Sequence, residues 1–462
     1  MREDWIEVEL GELLEIERGG SPRPIKEFIT NEEDGINWIK IGDTKGTSKF
    51  INGSEQKIKP SGLKHSRMVY PNDFILSNSM SFGRPYIMNV KGAIHDGWLV
   101  LRDIHNVLNK DFLYYTLSSL NVYKQFNELA TGSTVKNLNI GLVQKVKIIL
   151  RPKSEQSAIA NKIEALFSDL DSGITHLKKA QEQLKIYRQA VLKKAFEGGF
   201  TITNEEPIVN DELRITNERN QSNHTNQKNH SSDNLPKGWK WVKISDVCDM
   251  KAGSFVKANE INSEFENELF PCYGGNGLRG YVKSSTHEGL FPLVGRQGAL
   301  CGNVHLVNGK FHATEHAVVV SVKKEIDIKC LYYKLVEMKL NQYSTGTAQP
   351  GLSVNKILPI EIIYPSSTQE QTQIVQEIES RLSVSDNLEF VIRNSIEKAE
   401  ALRQSILKKA FEGKLLSQEE IEQCKQAADY EPASELLKKL QAEKLEKEQE
   451  KKKKPSVKKK SK

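Results

Sequence analysis

Two long stretches of the chain place apolar residues at alternating steps of three and four. This spacing predicts helices whose apolar seam has the 3.5-residue period of helix-on-helix packing. Arg381 and Ser385 interrupt the second seam. The seam positions are Ile159, Ile163, Leu166, Leu170, Leu177 and Leu184 in residues 155–198, and Ile374, Ile378, Leu388, Ile392 and Ile406 in residues 370–413.

The two helical stretches are copies of one sequence. Residues 192–198 and 407–413 both read LKKAFEG, 215 positions apart, and at that offset 17 of the 44 positions from 155 and from 370 are identical. Between about 20–110 and 255–325 the copies share little, which predicts a common scaffold presenting two different surfaces. Shorter matches upstream are Trp5 with Trp239, Leu113-Tyr114-Tyr115 with Leu331-Tyr332-Tyr333, and Thr131-Gly132-Ser133 with Thr345-Gly346-Thr347.

The remaining parts of each copy alternate short apolar runs, such as INWIKI and HAVVVSV, with turn residues, which is typical of β-strands. The predicted fold class is therefore α+β, a tandem repeat of a β-rich module and a long helix. Residues 199–233 are polar and rich in asparagine, which predicts a flexible linker. The predicted segments are module 1 at 1–154, a helix at 155–198, the linker, module 2 at 234–369, a helix at 370–413, and an amphipathic stretch with a lysine-rich tail at 414–462.

Composition narrows the function classes without selecting one. The net charge is +6, but the last twelve residues carry eight lysines and no acid, so the rest of the chain sums to −2. Charge therefore permits DNA binding without arguing for it. No apolar run approaches the length of a membrane span, and the acidic start lacks a signal-peptide stretch. The five cysteines show no CxxC spacing, which favours a cytoplasmic protein with free thiols.

Two motifs suggest catalysis or metal binding, and both have more ordinary explanations. Residues 275–280 satisfy GxGxxG, but a dinucleotide site needs a following helix, so a glycine-rich β-turn is the better interpretation. His312 and His316 satisfy HxxEH, the inverted zinc-protease pattern, but the motif leads directly into the strand-like AVVVSV. No GxxxxGK[ST] or [ND]PP[YF] sequence occurs. We therefore expect no catalysis and no metal on this chain; a metalloprotein built on the two histidines is the alternative that a metal analysis decides.

Polar residues and arginines between the predicted strands are candidates for contacts to DNA. Arginine, asparagine and glutamine offer the paired hydrogen bonds that base edges in the major groove require, while lysine and serine suit phosphates. Surface loops also carry such residues for turn formation, so this interpretation depends on the repeat. The candidates are Lys40, Ser77, Asn78, Ser79, Ser81 and Arg84 in the first copy, and Tyr273, Asn276, Arg279, Arg296 and Gln297 in the second.

Short sequences in a fixed order make the chain resemble the specificity subunit of type I restriction–modification systems over essentially its whole length. The resemblance implies two target-recognition domains, each reading one half of a bipartite asymmetric DNA site. It also implies that the two helices pair as an antiparallel coiled coil, which fixes the distance between the halves. The sequences are NWIKIGD at 37–43, GRPY at 83–86, Glu155-Gln156, LPKGW at 235–239, Glu370-Gln371, both LKKAFEG helix ends and EPAS at 431–434.

The resemblance further implies partners for the chain. Two modification subunits would carry S-adenosylmethionine and the adenine-methylation chemistry, and restriction subunits driven by ATP with Mg²⁺ would join them, so no cofactor is expected on this chain.

A helix of some 42 residues spans about 63 Å, enough to place two modules one DNA turn apart. The rival hypothesis is a coiled-coil adaptor whose variable modules bind proteins; a steep salt dependence of binding would distinguish DNA contact from it.

Overall fold

The computed structural model describes residues 2–45, 49–78, 82–130, 137–200, 235–298, 300–346 and 350–453. The chain forms two compact units: unit 1 comprises Met1–His176 and Ser395–Lys462, and unit 2 comprises Leu177–Asn394. Each unit therefore contains one module, the first half of the long helix that follows it, and the second half of the other long helix. The predicted linker, apart from residues 199 and 200, and most of the lysine-rich tail lie outside the described residues.

Module 1 is β-rich, as the sequence predicts, and it also contains short helices. Its helices are α1 (Leu10–Leu13), α2 (Lys110–Leu117), α3 (Leu120–Leu129) and α4 (Ile140–Gln144). Its strands are β1 (Ile6–Glu9), β2 (Glu15–Arg18), β3 (Ile29–Thr30), β4 (Ile36–Ile39), β5 (Phe50–Ile51), β6 (Lys57–Ile58), β7 (Arg67–Val69), β8 (Phe74–Ser77), β9 (Pro85–Met88), β10 (Gly92–Ile94), β11 (Trp98–Arg102) and β12 (Lys147–Leu150).

The central sheet of module 1 is buried on both faces, which explains its continuous apolar runs. In β11, Leu99 and Leu101 pack into one core cluster, while Trp98 and Val100 pack into a second cluster on the other face. This follows from the two-residue period of a strand, because successive side chains point to opposite faces. The strand order is β2-β11-β8-β9-β5, and a second sheet has the order β3-β6-β4-β10-β7.

Module 2 repeats the central sheet of module 1. Its elements are β13 (Trp239–Lys243), α6 (Ile244–Val247), β14 (Cys248–Ala252), β15 (Phe270–Gly274), β16 (Gly277–Val282), β17 (His287–Gly295), β18 (Val304–Ala313), β19 (Ala317–Val322), α7 (Ile328–Glu337), α8 (Val354–Ile357) and β20 (Glu361–Pro365). The main sheet has the order β14-β19-β17-β18-β15-β16, in which the first five strands correspond to those of module 1. The pairing of β15 with β18 is parallel, as is that of β5 with β9.

The two long helices, α5 (Lys153–Phe196) and α9 (Thr368–Phe411), begin two residues before the predicted starts and end at the phenylalanine of LKKAFEG. Gly198 and Gly413 follow them with left-handed φ angles of 84° and 75°, as expected of residues that end a helix. At Gly413 a β-carbon would lie 2.0 Å from the ring of Trp5, so this position needs glycine for space as well.

Within each unit the helix segments pair antiparallel, which confirms that part of the predicted fold. In unit 1, Ile159 and Ile163 share a buried cluster with Ile406 and Ala410, and Leu166 and Leu170 pack against its edge. In unit 2, Ile374 and Ile378 lie in the core with Leu192 and Phe196. Leu177 and Leu184 are half-buried, and Ile392 is buried.

The predicted seam is wrong at Leu388, whose side chain is 48% exposed. In this part of α9 a row of buried and half-buried positions runs through Ile378, Leu382, Ser385, Glu389 and Ile392, with steps of four and three, and Glu379 and Arg381 beside it are half-buried as well. Leu388 precedes Glu389 by one residue, about 100° around the helix, and therefore faces outward. Ser385, predicted to interrupt the seam, is fully buried within it. Glu389, rather than Leu388, lies in the seam, and it forms an ion pair with Arg188 at 2.6 Å.

The repeated Glu-Gln pairs fasten each module to its long helix. The indole nitrogen of Trp5 donates to Glu155 at 3.0 Å, and that of Trp239 donates to Glu370 at 2.8 Å. The side-chain oxygens of the two glutamines accept from the backbone N–H groups at the caps of α2 and α7. These bonds join Gln156 Oε1 to Asn109 N at 2.7 Å and Gln371 Oε1 to Asp327 N at 2.6 Å.

The segment after α9 folds onto module 1. It forms α10 (Gln418–Lys425) and α11 (Ala433–Lys453), the second of which matches the predicted amphipathic stretch. Ala433 and Leu440 enter the core of module 1, and Glu443 lies 2.7 Å from His105. All five cysteines are free and buried. In the described part of the chain, no helix is long and apolar enough to cross a membrane.

Candidate nucleic-acid interface

At one end of the central sheet of module 1, loops from distant parts of the sequence are joined by backbone hydrogen bonds. Strand β8 ends at Ser77, where it faces the start of β11 at Trp98, so the loops around both strands meet there. The bonds are Gly19 N to Trp98 O (2.9 Å), Gly20 N to Ile94 O (3.1 Å), Asn78 N to Gly97 O (3.0 Å), Trp98 N to His95 O (3.1 Å), Ser77 N to Arg84 O (3.0 Å) and Leu138 N to Asn78 O (2.9 Å).

The same set of bonds occurs in module 2. They are Gly253 N to Ala317 O (3.0 Å), Ser254 N to Ala313 O (2.8 Å), Arg296 N to His316 O (2.9 Å), Ala317 N to Thr314 O (2.9 Å), Gly295 N to Asn303 O (2.8 Å) and Leu352 N to Arg296 O (2.8 Å). We call the residues that make these bonds the loop frame. The modules thus share their loop architecture in the region where the sequences have little in common.

The loop frame defines which residues of the two modules are structurally equivalent. Asn78 corresponds to Arg296, and Arg84 corresponds to Asn303, so the two candidate arginines of these loops do not occupy the same position. Because the frame bonds join backbone atoms, most side chains on it are free to differ. Gly19 and Gly253 are exceptions, since a β-carbon at either position would lie 2.1 Å from a carbonyl oxygen of the frame.

In module 2 the frame brings several predicted residues together. The Gly275-Asn276 turn between β15 and β16 lies beside the loop after β17, because a β-carbon at Gly275 would be 3.4 Å from Gln297 O and 3.6 Å from Arg296 N. Asn276, Arg296 and Gln297 are all exposed. Within the described residues, the guanidinium groups of Arg279 and Arg296 have no hydrogen-bond or ion-pair partner in the protein. These side chains are therefore available to a ligand.

Tyr273 is less available than the other candidates of module 2. Its ring packs edge-on against Phe311, with centroids 5.9 Å apart, and the residue is half-buried. Burial raises the pKa of its hydroxyl, so the neutral phenol is the form this environment favours.

In module 1 two of the candidate side chains do not lie on the surface. Ser77 and Asn78 are buried, whereas the sequence predicts them as exposed contacts to DNA. The Ser77 hydroxyl accepts from Arg84 N at 2.9 Å, and Asn78 Nδ2 donates to Asp96 O at 2.9 Å, so both side chains hold the loop in shape. Arg84 is exposed as predicted. The other two candidates of this loop, Ser79 and Ser81, lie outside the described residues.

Lys40 lies in an open cleft beside the loop frame of module 1. Its ammonium donates to Gln56 Oε1 at 3.1 Å, and His95, Asp96 and Arg23 line the same cleft. Burial lowers the pKa of His95, which therefore stays neutral at pH 7. The frame bonds make Asp96 equivalent to Glu315 of module 2. Neither acid is among the candidates from the sequence, because insertions between the copies shift them out of the offset that aligns the helices.

Neither motif has the local geometry that its site requires. GxGxxG forms the β15–β16 hairpin with no following helix, as the turn interpretation requires. His312 lies at the end of β18, with its ring nitrogens 3.2 Å from Ser284 O and Ser254 O, while His316 lies in the next turn. Across the described ranges, no group of three or more His, Cys, Asp or Glu side chains is arranged to hold a metal ion.

Known proteins share both the sequence and the fold of this chain. The type I restriction enzyme EcoprrI specificity subunit of Escherichia coli is 30% identical over 383 residues, 79% of this chain and 85% of that protein. The EcoBI specificity subunit of Escherichia coli is 24% identical over 464 residues, 96% of this chain and 93% of that protein.

Among solved structures, a chain from a study of assembly and conformational transition in a type I restriction–modification system aligns with a TM-score of 0.67. The two sequences are 18% identical, and the alignment covers 90% of this chain and 99% of the other. The HsdS subunit from Thermoanaerobacter tengcongensis aligns with a TM-score of 0.55, also at 18% identity, over 90% of this chain and 98% of that one.

Each module packs on segments of two long helices, and the two modules present different side chains from the same backbone frame. This arrangement defines a two-module recognition protein. The family model described as type I restriction modification DNA specificity domain matches residues 2–183 and 236–398, so the chain belongs to that family. It is a specificity subunit, a recognition component rather than a catalytic one.

Proposed function

We propose that this chain reads a bipartite, asymmetric DNA site, with module 1 on one half and module 2 on the other. The loop frame carries the proposal, since the same backbone arrangement in both modules presents different exposed residues. Arg84 belongs to the first surface, and Asn276, Arg296 and Gln297 belong to the second. Lys40, Tyr273 and Arg279 remain proposed contacts around these loops. Different side chains on a common frame are expected to read different half-sites.

The partners follow from the same proposal. Two modification subunits dock on the chain and methylate adenine with S-adenosylmethionine, and ATP-driven restriction subunits that use Mg²⁺ join the complex. The chain itself holds no cofactor. Mapping methylated adenines across the genome, with and without this chain, tests the assignment. We expect methylation at one two-part sequence motif that disappears when the chain is removed; methylation that persists unchanged would overturn it.

The long helices are proposed to set the gap between the two half-sites. Each has 44 residues and is therefore about 66 Å long at 1.5 Å per residue. Three heptads inserted into both helices add about 32 Å, close to the 34–36 Å of one DNA turn, so both modules would meet the same face of the duplex. The insertion points are Gly173, which is exposed and where an added β-carbon would meet no atom within 4 Å, and Glu397, also exposed.

We expect the insertion variant to prefer a gap longer by about nine or ten base pairs, because the added helix length spans that many at about 3.4 Å each. A single inserted heptad adds about 10 Å and leaves the modules on different faces of the duplex, so it should weaken binding at every gap. The measurement is competition binding with duplexes of graded gap length. An unchanged gap preference in the three-heptad variant would refute the proposed role of the helices.

A further inference from the structure

Each loop frame contains a tight turn with an acidic residue at the same position. The turns are 95–98 and 314–317, closed by Trp98 N to His95 O at 3.1 Å and by Ala317 N to Thr314 O at 2.9 Å. The acid is Asp96 in module 1 and Glu315 in module 2. In each turn the residue after the acid accepts a backbone hydrogen bond from the loop that follows the neighbouring strand. Gly97 O accepts from Asn78 N, and His316 O accepts from Arg296 N. The two acids are therefore equivalent, although the sequences around them differ.

An acidic side chain is unexpected on a surface that faces DNA, because phosphates repel it. Both side chains are nevertheless partly exposed, Asp96 at 48% and Glu315 at 31%. A turn could use aspartate for its own stability, and Asp96 Oδ1 does accept from the Ser21 hydroxyl at 2.7 Å. That bond occupies one oxygen of two, and the other lies 3.9 Å from Arg23. The turn does not use the full accepting capacity of the carboxylate.

In module 2 the unused capacity is more evident. Glu315 Oε1 lies 3.2 Å from the His316 ring, whereas Oε2 is buried and has no hydrogen-bond partner among the described residues. A buried acceptor without a partner costs free energy, so the Glu315 carboxylate gains binding energy when it turns toward a ligand that donates to it. In module 1 the Ser21 hydrogen bond lowers the pKa of Asp96, which therefore remains ionised and can only accept.

We propose that Asp96 and Glu315 each read one base pair, by accepting a hydrogen bond from the exocyclic amino group of cytosine or adenine in the half-site of its own module. This inference rests on the proposed function. In the major groove an acceptor-only side chain separates bases with an amino donor from thymine and guanine, which present carbonyl oxygens at the same place. The carboxylate thus rejects two of the four bases at its position. The hydrogen bond that it gains offsets its repulsion from phosphates.

The first test uses the chain in complex with its modification subunits and duplexes in which each base pair of the bipartite site is varied in turn. Asp96→Asn keeps an oxygen for the Ser21 hydroxyl and adds a donor, so it should tolerate thymine or guanine at one position of half-site 1. We expect discrimination there to fall by about 5- to 150-fold, the range of one specific base contact. Half-site 2 should be unchanged, and Glu315→Gln should show the reciprocal pattern.

The second test removes the amino group from the DNA instead. Purine replaces adenine, or 2-pyrimidinone replaces cytosine, at the position found above, which also identifies the base that is read. The substitution should weaken binding of the wild-type chain and leave Asp96→Ala or Glu315→Ala indifferent to it. Ser21→Ala removes the hydrogen bond to Asp96 and His316→Ala removes the contact with Glu315, and we expect both variants to retain the base preference.

The outcomes separate this inference from the function on which it rests. Glu33→Gln in module 1 and Asp249→Asn in module 2 change exposed acids off the loop frame and should change no preference. If Asp96→Asn and Glu315→Gln keep every base preference, or weaken all sites evenly, the inference is overturned while the proposed function stands. A wild-type complex without preference for either half-site would overturn the proposed function, and the inference with it.

Discussion

Arg151 joins module 1 to the last turn of α9. Its side chain is fully buried, and its guanidinium donates to two carbonyl oxygens in the last turn of α9, Ala410 O at 2.8 Å and Phe411 O at 2.9 Å. The same group lies 4.2 Å from the centre of the Trp5 ring. The last carbonyls of a helix have no partner within it, so Arg151 caps α9. Module 2 has Ser366 at the corresponding place, counted from Gln156 and Gln371.

Arg151→Ser gives module 1 the residue that module 2 has, and its cost can be worked out from these contacts. Each carbonyl loses a bond to a charged donor, at about 1–3 kcal/mol where the oxygen is left without a partner. The contact with Trp5 contributes about 2 kcal/mol when desolvated. Against this, the variant no longer buries a cation, whose burial is costly enough to lower the pKa of Arg151 to about 10. We expect a net loss of about 3–5 kcal/mol, the usual result of removing one partner of a buried charged contact.

Native-state hydrogen exchange is the suitable assay, because a chain with two compact units need not unfold in one step. A loss of 3–5 kcal/mol corresponds to about two to three and a half orders of magnitude in amide protection. The loss should appear in the last turn of α9 and in α2, and not in the last turn of α5. Arg188→Ser, which breaks partly exposed ion pairs with Asp386 and Glu389, is the control and should cost about 1 kcal/mol or less. Equal loss in both helix ends, or none, would refute the assignment.

Two further changes test how module 1 is held. Glu155→Gln keeps an acceptor for Trp5 and Glu155→Ala does not, so native-state hydrogen exchange should show unit 1 of the alanine variant to be less stable by about 1–3 kcal/mol. Burial raises the pKa of Glu155, so the folded state binds its proton more tightly; stability should fall as pH rises from the ordinary glutamate pKa through the raised one, and Glu155→Gln should remove that slope. Gly413→Ala should destabilise unit 1 by more than 1 kcal/mol in thermal unfolding, because φ is 75° and the new carbon meets Trp5. The control is Gly173→Ala, which lies in open helix and should stabilise by about 0.5–1 kcal/mol. A Gly413→Ala variant as stable as the wild type would contradict this.

The long helices and the repeat could be predicted from the sequence because both are periodic. The error at Leu388 shows the limit of that reasoning: one residue of phase decides burial, and polar Glu389 occupies the seam since Arg188 pairs with it. The loop frame could not be predicted, because its bonds join backbone atoms and leave little trace in residue identity. For the same reason the sequence does not reveal that Ser77 and Asn78 are buried, because their burial follows from bonds across loops far apart in the sequence.

A single acid on the long helix shows how the duplicated copies keep a contact while changing the residues that make it. Glu164 and Glu379 are equivalent positions, 215 residues apart. Glu164 accepts from Lys49 at 2.8 Å, and Lys49 also donates to Asp111 at 2.7 Å. In module 2, Glu379 accepts from Lys329, which stands where module 1 has Asp111. The cation thus comes from the variable region in one copy and from the shared helix in the other. What the copies have in common is therefore the position and charge of the contact, and a comparison of residue identities underestimates how alike the two modules are.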